Sequence, residues 1–448
     1  SLKIGNTSDE DPTNAGGIFF STSGADAINV TNTADSFSLT FEDNNVSVSS
    51  GDGVVFDGDS TAPTVTVNSN TLTGVTSFVN ITGVTDNATV SGSIVGSSAT
   101  GLNFSDSTSN LTVDALNLED LDDGINVTSA DTSVDLTGVS TDNTTNGLVT
   151  ATAGTFDVDV SETSSFNNDT TALDLSHAGN VSVDDTTTIS DATTGVNFNS
   201  TGDVADVDAT INNASDVGVT VDQAETDITL SSATFDGSDA STDLGLNFTT
   251  NAFASDLSIG PSSSFSSLED AAIQLNNASA SEVTIRNVTF EDSGDGVNIT
   301  EEFSSNTTIT NSTFRNVNTS INVDSVSATF NLTADFNSFT PMTVDGTPVG
   351  DTVTGVLVDD NDASDVNLSF NEFVLSTESL NVTSTGSPVN GSFNWWGATN
   401  GPGGDFNGNG SSVNGSASDI SINPATVQKK SGNVSLEQDF LGVVKDSQ

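Results

Sequence analysis

The sequence contains no cysteine, no tyrosine, one histidine and only 6 lysines and arginines in 448 residues. Without cysteine there can be no disulfide framework, no thiol redox site and no cysteine-ligated metal, and a single histidine cannot form a histidine cluster. Against these few cations stand 62 Asp and Glu residues, which give a formal net charge of -56. Because proteins bind nucleic acids through lysine and arginine side chains on the phosphates, this charge excludes nucleic acid as a partner.

The sequence also lacks the 18 to 20 consecutive apolar residues that a membrane-spanning helix requires. Its first residues show no basic segment followed by an apolar one, which is the pattern of a signal peptide. We therefore expect no membrane insertion by this chain, and a mature or trimmed end at Ser1.

Acidic residues are spread along the whole chain, and 49 of the 62 are aspartates. High net charge is typical of disordered chains, but the chain has 25 phenylalanines and its apolar residues recur in a fixed pattern, which predicts a folded protein. Its charge repulsion is screened only in concentrated salt, where the Debye length falls from about 10 Å to about 3 Å. The composition resembles that of proteins from halophilic archaea. An acidic face for cations or a basic partner is the alternative, but it would require the aspartates to cluster.

A pentapeptide of the form x-G-[VIL]-N-[FVIL] recurs fifteen times. Successive copies are 23 to 27 residues apart, except for the 35-residue interval from Val323 to Val358. The copies end at Val30, Phe56, Ile81, Phe104, Val127, Thr150, Leu175, Phe198, Val221, Phe248, Leu275, Ile299, Val323, Val358 and Val382.

Within each period apolar and polar residues alternate, as half-buried strands require, and helical spacing is absent. One period is too short to bury its own apolar face but can stack on its copies. The pattern predicts an all-β, single-stranded parallel β-helix of about 15 coils with short terminal caps, about 70 Å long at 4.8 Å per coil. Nine copies carry glycine at the second position, where we expect it to supply a positive φ at a corner.

The coils SEVTIRNVTFEDSGDGVNIT and NTTITNSTFRNVNTSINV resemble those of right-handed parallel β-helix proteins of the pectate-lyase and carbohydrate-binding/sugar-hydrolase superfamily. The segment FNWWGATNGPGG resembles the N-W-W-G…G-P element that closes β-helices in many archaeal and bacterial cell-surface proteins. The resemblance implies a right-handed helix, with the strand SDISINPATV covering its end.

These patterns divide the chain into an N-terminal cap at 1–25, the parallel β-helix at 26–392, the N-W-W-G cap at 393–427 and a C-terminal tail at 428–448. The tail has half of the basic residues and its own apolar alternation, so we expect it to act as an assembly strand. Its apolar positions are Leu436, Phe440, Leu441, Val443 and Val444.

Enzymes of the resembled superfamily use clustered aspartates, often with calcium, beside an arginine or lysine. The only basic residues within the repeats are Arg286 and Arg315, which the spacing places on different faces or corners. His177 is expected in a solvated turn, and Trp395 and Trp396 are expected to plug the terminal element. These positions predict no catalytic residue and no required cofactor.

Two oxygen-rich segments fit the ligand preference of calcium. The first holds Asp359, Asp360, Asp362 and Asp365, and the second holds Asp405, Asn407 and Asn409. The second segment starts like an EF-hand loop but has Ser416 where the bidentate glutamate would be. With so many carboxylates in the chain, calcium binding and its absence both stay open.

The chain has 27 N-x-[ST] sequons, about twice the number expected by chance. The alternation of polar and apolar residues in the strands accounts for some of them, since an outward Asn and an outward Thr or Ser on either side of one buried residue form a sequon. Asn103 and Asn126 should be about 4.8 Å apart in consecutive coils, which is too close for two glycans. We therefore expect glycans at the turn residues Asn143, Asn390 and Asn414, and an amide ladder along the repeat strands.

Together the patterns favour an extracellular structural or adhesive protein of a halophile: a cell-surface, filament or spike subunit. Its partners would be copies of itself or cell-surface components and glycans. A virus-borne spike is a close variant. The alternative is a polysaccharide lyase or glycoside hydrolase with clustered aspartates on one face of the β-helix.

Overall fold

The computed structural model is a parallel β-solenoid, with no helix among the residues that it describes. The described residues are 2–4, 19–22, 26–31, 38–42, 45–48, 50–57, 63–85, 87–96, 99–105, 109–128, 133–150, 156–176, 179–199, 204–222, 227–237, 244–249, 256–276, 282–300, 303–324, 326–327, 329–341, 343–344, 347–348, 354–360, 365–374, 378–398, 401–406, 408–416 and 418–422.

The chain forms two compact units, of which the first comprises residues 1–274 with 278–281 and the second residues 275–277 with 282–448. The strands up to the change of unit are β1 (Leu2–Ile4), β2 (Phe19–Thr22), β3 (Ile28–Thr31), β4 (Ser38–Glu42), β5 (Asn45–Val48), β6 (Val54–Asp57), β7 (Thr64–Thr73), β8 (Ser77–Thr82), β9 (Ala88–Val95), β10 (Thr100–Ser105), β11 (Leu111–Glu119), β12 (Asp123–Val127), β13 (Val134–Thr137), β14 (Ser140–Asp142), β15 (Asn146–Thr150), β16 (Val158–Ser161), β17 (Ser165–Asn167), β18 (Thr171–Leu175), β19 (Val181–Val183), β20 (Thr188–Ser190), β21 (Thr194–Phe198), β22 (Val204–Val207), β23 (Thr210–Asn212), β24 (Val217–Val221), β25 (Asp227–Leu230), β26 (Thr234–Asp236), β27 (Leu244–Phe248), β28 (Leu257–Ile259), β29 (Ser264–Ser266) and β30 (Ala271–Asn276).

The remaining strands belong to the second unit. They are β31 (Glu282–Arg286), β32 (Thr289–Glu291), β33 (Asp295–Thr300), β34 (Asn306–Thr310), β35 (Thr313–Arg315), β36 (Thr319–Asp324), β37 (Asn331–Asp335), β38 (Ser338–Thr340), β39 (Thr343–Val344), β40 (Thr347–Pro348), β41 (Thr354–Asp360), β42 (Asp365–Ser369), β43 (Glu372–Phe373), β44 (Glu378–Thr385), β45 (Val389–Asn390), β46 (Gly403–Gly404), β47 (Ser412–Asn414) and β48 (Ile420–Ser421).

One coil consists of three short strands, and each strand pairs in parallel with the equivalent strand of the next coil. Strands β13, β14 and β15 form such a coil, and they pair with β16, β17 and β18. We call the three rows of strands face 1, face 2 and face 3 in this order. In the first unit β7, β9 and β11 are long enough to cross from face 1 to face 2. The second unit also contains one antiparallel pair of strands, β39 and β40.

All fifteen repeated pentapeptides lie on strands of face 3, and the sequence-predicted register is confirmed. In β12, Ile125 and Val127 are fully buried while Asn126 between them is half-buried on the outside. Asn126 is aligned with Asn103 of the preceding coil, as its spacing predicts. The apolar residues of face 3 therefore form one wall of the core in each unit.

The expected role of the pentapeptide glycines is wrong, because none of these nine described glycines has a positive φ. At eight of the nine positions, all except Gly355, a Cβ would instead lie within 3.0 Å of another atom. A Cβ on Gly218 would lie 2.7 Å from a ring carbon of Phe235 and 2.7 Å from the carbonyl oxygen of Gly245. Glycine thus allows the face 3 backbone to lie directly against a large side chain that projects inward from face 2.

The corner between faces 2 and 3 has a left-handed backbone, which asparagine and aspartate tolerate better than other non-glycine residues. In five consecutive coils of the first unit φ at this corner lies between 53° and 58°, at Asp120, Asn143, Asn168, Asp191 and Asn213. The N–H group at each of these positions donates to a carbonyl of the next coil, for example Asn143 to Asn167 at 3.0 Å. The abundance of Asn and Asp therefore reflects turn geometry in part.

The segments predicted to be caps contribute strands to the same ladders. Near the N-terminus β1 pairs with β4 and β2 pairs with β5. In the N-W-W-G segment β47 pairs with β44, and β48, within SDISINPATV, pairs with β45 and buries Ile420. The predicted tail at 428–448 lies outside the described residues.

Candidate functional site

Negative charge is distributed unevenly over the faces of the first unit. Among the described residues between 133 and 267, eight aspartates lie on face 1 strands or directly beside them, but only three on face 2. The face 1 residues are Asp135, Asp157, Asp159, Asp184, Asp206, Asp208, Asp227 and Asp256, and the face 2 residues are Asp142, Asp191 and Asp236. Face 2 therefore carries fewer carboxylates than face 1.

Face 2 of the first unit also has a continuous row of hydroxyl groups. Six serines and threonines at the first strand position are in register on consecutive coils: Ser140, Ser165, Thr188, Thr210, Thr234 and Ser264. With neighbouring strands about 4.8 Å apart, the row is about 24 Å long. Such a row can hydrogen-bond a partner without bringing a second charge close to it.

The central residue of each face 3 strand points outward. In some coils these residues form the amide ladder that the sequence predicts. Asn103 donates through Nδ2 to Asn80 Oδ1 at 2.9 Å, and Asn80 donates to Asp52 Oδ2 at 2.7 Å. In the second unit Asn322 donates to Asn298 Oδ1 at 2.9 Å. The amide groups in these coils thus tie neighbouring strands together.

Asp169, beside the left-handed corner of its coil, has a side chain that is only 2% exposed. Its Oδ2 accepts a hydrogen bond from Thr141 Oγ1 at 2.6 Å, and its Oδ1 accepts from the N–H and the Oγ1 of Thr144 at 2.9 and 2.7 Å. Burial raises the pKa of this carboxyl, although the three hydrogen bonds lower it in part. The carboxyl serves to join two coils from inside the solenoid.

Several other carboxyl groups have a raised pKa for the same reason. Desolvation by burial is the main cause at Asp135, Asp174, Asp206, Asp335 and Glu378, and a neighbouring carboxylate adds to it at Asp135, Asp174 and Asp206. A lowered pKa is found at Asp184, where hydrogen bonds from Thr186, Thr187 and Glu162 outweigh burial.

We expect the free energy of unfolding to increase as the pH is lowered from 7 towards 4 at constant high salt. A carboxyl whose pKa is raised in the folded state binds its proton more tightly there than in the unfolded chain, so protonation stabilises the fold. The opposite contribution of Asp184 is lost only near and below 3.8, its ordinary value. Urea unfolding at several pH values in concentrated NaCl measures this dependence.

The matched variant for this measurement is Asp169→Asn, whose amide can still bond Thr141 and Thr144. It should be more stable than the parent at pH 7 and should show a weaker gain on acidification. Stability that falls steadily from pH 7 to pH 5 in the parent would contradict the prediction.

The second unit contains a buried column of three asparagines, Asn337, Asn371 and Asn394, each at most 2% exposed. The side-chain oxygen of Asn371 accepts from the N–H of Asn337 at 2.8 Å, and that of Asn394 accepts from the N–H of Asn371 at 2.7 Å. Each Nδ2 donates to a carbonyl, with Asn371 bonding Ala334 at 2.7 Å. The asparagine column therefore satisfies backbone groups at the corner between faces 1 and 2.

Beside the asparagine column lies a buried aromatic column, which consists of Phe290, Phe314, Phe339, Phe373 and Trp396. Successive ring centroids are 4.6, 5.1, 4.6 and 4.8 Å apart, and the rings are nearly parallel. Trp396 is 1% exposed, as expected of a plug, and its Nε1 has no hydrogen-bond partner within the described part of the chain.

Three further phenylalanines, at the same corner, have a left-handed backbone that is unusual for a bulky residue. Phe336, Phe370 and Phe393 have φ values of 60°, 59° and 62°, are half-buried, and stack at 5.2 Å. Sequence analysis missed that FNSF, FNEF and FNWW are successive copies of one corner motif. The N-W-W-G element thus continues the coil pattern of the second unit.

The predicted calcium residues are described only in part, since Asp362 and Asn407 lie outside the described residues. Asp359, Asp365, Asp405 and Asn409 are exposed. Asp359 accepts a hydrogen bond from Ser384 at 2.9 Å, and Asp405 accepts from the N–H of Gly415 at 3.0 Å. Asp360 ends β41. Where the structure describes the chain, no three acidic or histidine side chains converge as a metal site would need, so calcium stays a prediction.

The amide groups of the three predicted glycosylation residues are engaged. Asn143 donates through Nδ2 to Asp120 at 2.5 Å, Asn390 donates to Asn367 at 2.8 Å, and Asn414 donates to Glu378. Glycosylation at these positions would have to replace or share these contacts.

Other residues singled out in the sequence are separated in the structure. Arg286 ends β31 on face 1, whereas Arg315 ends β35 on face 2 and pairs with Glu291. His177 and the apolar tail residues lie outside the described residues.

No family model, curated protein or solved structure matches this chain. In the described ranges no helix is long and apolar enough to cross a membrane. Function must therefore be inferred from the surfaces of the solenoid itself.

Proposed function

We propose that this protein is an extracellular structural or adhesive solenoid of a high-salt environment, and that its copies meet through face 2 of the first unit. The observation that carries the proposal is the row of six hydroxyl groups on a face with few carboxylates. Two chains with a charge of -56 repel each other less where each presents few carboxylates. High salt weakens the remaining repulsion.

The experiment is electron microscopy and light scattering of the purified chain in multi-molar NaCl. Thr210→Asp places a carboxylate in the middle of the hydroxyl row, and we expect it to raise the concentration needed for assembly at least tenfold. Ser258→Asp is the matched control, because Ser258 is equally half-buried but lies on face 1. Both variants should unfold at nearly the same urea concentration as the parent.

Equal assembly of the two variants would show that face 2 is not the contact surface. Deletion of residues 428–448 is the third arm, since the sequence predicts an assembly strand there. Loss of assembly in this deletion but not in Thr210→Asp would assign the contact to the tail. Single dispersed particles for the parent would contradict self-association and transfer the binding role to cell-surface glycans.

A further inference from the structure

One sequon outside the three predicted positions has a geometry suited to modification. Asn180 is exposed directly before β19, and its side chain makes no hydrogen bond to the described part of the chain. Its backbone N–H is bonded to Asp157 Oδ1 at 2.9 Å, so the main chain is fixed while the amide faces solvent. Val181 is buried and Ser182 is exposed, which places the asparagine and the sequon hydroxyl on the same side of the strand.

The neighbours of Asn180 leave room for a glycan. Pairing of β19 with β16 and β22 places Asp157 and Val204 beside Asn180 in the adjacent coils, and neither begins a sequon. Asn110 and Asn87, by contrast, are sequon residues in adjacent coils of the same row, so one glycan there would crowd the other. Asn180 has no such competitor within one coil.

Val204 supplies a second, independent observation. It is 43% exposed, and in the described residues only Val374 is another large hydrophobic side chain exposed to this degree. An exposed valine needs no explanation alone, but this one lies about 4.8 Å along the ladder from a free amide. The first sugar on Asn180 would cover its side chain.

The sequon of Asn143 differs from that of Asn180 at the amide group. Its hydroxyl residue, Thr145, is exposed, but its amide nitrogen donates to Asp120 at 2.5 Å. Thr144, between the asparagine and that hydroxyl, is only 3% exposed and donates to Asp169 at 2.7 Å. The amide that a glycosylating enzyme must reach is therefore bonded in the folded chain, and the residue beside it is held in the core.

We propose that Asn180 is an N-glycan acceptor of this protein. In the modification Nδ2 forms a bond to the anomeric carbon of a sugar carried on a lipid phosphate or pyrophosphate. The bond from that carbon to the phosphate oxygen breaks, the phosphate leaves with the electron pair, and Nδ2 loses one proton. The glycan would extend from face 1 and leave face 2 uncovered. The inference rests on the proposed extracellular location, but its test does not.

The test uses the full, folded chain in concentrated salt with membranes of a halophilic archaeon, which supply the transferase and the lipid-linked oligosaccharide. A short sequon peptide in the same reaction reports that transfer works. Peptide mapping by mass spectrometry should find at least tenfold higher occupancy at Asn180 than at Asn143. Asn180→Gln and Ser182→Ala should each remove the modification, whereas Ser182→Thr should keep it.

Modification of the peptide without modification of Asn180 would overturn the inference, and so would equal occupancy at Asn143. Ser182→Ala keeps the asparagine and its surroundings, so its loss of glycan cannot arise from a structural role of Asn180. Failure of this test would leave the proposed contact through face 2 standing, since that contact is measured by assembly.

Discussion

Asn371→Ala is expected to lower the free energy of unfolding of the second unit by roughly 3 kcal/mol. The substitution leaves the N–H of Asn337 and the carbonyl of Ala334 buried without their present partners. Each buried polar group left unpaired costs about 1–3 kcal/mol. Because Asn371 is the middle of the asparagine column, the loss affects the coils on both sides of it.

Urea unfolding in concentrated NaCl, followed by tryptophan fluorescence, measures this effect locally. The chain has two tryptophans, and Trp396 packs on Phe373 in the same region. The control is Asn331→Ala, since the Asn331 amide donates to Asn306 at the surface; its cost should be within about 1 kcal/mol. Equal stability of the two variants would mean that the asparagine column does not hold these coils together.

Phe339→Ala is expected to cost roughly 3–5 kcal/mol, the range for removing a buried phenylalanine side chain. Phe339 is fully buried and stacks on Phe314 and Phe373 at 5.1 and 4.6 Å. Its removal interrupts the aromatic column at its centre and leaves a cavity between face 2 strands that cannot close without breaking their register. The same fluorescence-detected unfolding experiment measures the loss.

Phe336→Asn is the matched control for the aromatic column. Phe336 is only three residues from Phe339, but it is half-buried and its backbone is left-handed. Asparagine occupies the same corner in other coils, at Asn287 and Asn311, with φ of 56° and 52°. Relief of backbone strain should offset much of the lost stacking, so we expect a change within about 1 kcal/mol. A cost as large as that of Phe339→Ala would show that the outer phenylalanines are as important as the buried column.

The fold class and the strand register were predictable because the repeated pentapeptide has both the alternation of a half-buried strand and a nearly constant spacing. A buried residue on either side of an outward one appears in the sequence as alternation, and a constant spacing places like residues in line. Asn103 and Asn126 are aligned for this reason. The reason for the glycines was not predictable, since a close approach such as that of Phe235 to Gly218 depends on a strand distant in sequence from the glycine.

The corner columns of the second unit were missed for a related reason. Asn337, Asn371 and Asn394 look like surface residues in a sequence with many asparagines, and their spacings of 34 and 23 residues conceal the repeat. The hydroxyl row of face 2 was also missed, because serine and threonine are common throughout. Only strand pairing shows that these particular residues are in line.

The constant register has a consequence for how the chain acquires its structure. Asn103 bonds Asn80 across only 23 residues, and most strand pairs have a similar separation. The mean separation of paired residues is therefore roughly 0.05 of the chain length, below the range typical of helical bundles and far below that of other all-β proteins. A coil can dock on its predecessor once about 25 more residues have emerged during synthesis. We expect folding to advance in chain order, one coil at a time, without waiting for distant segments.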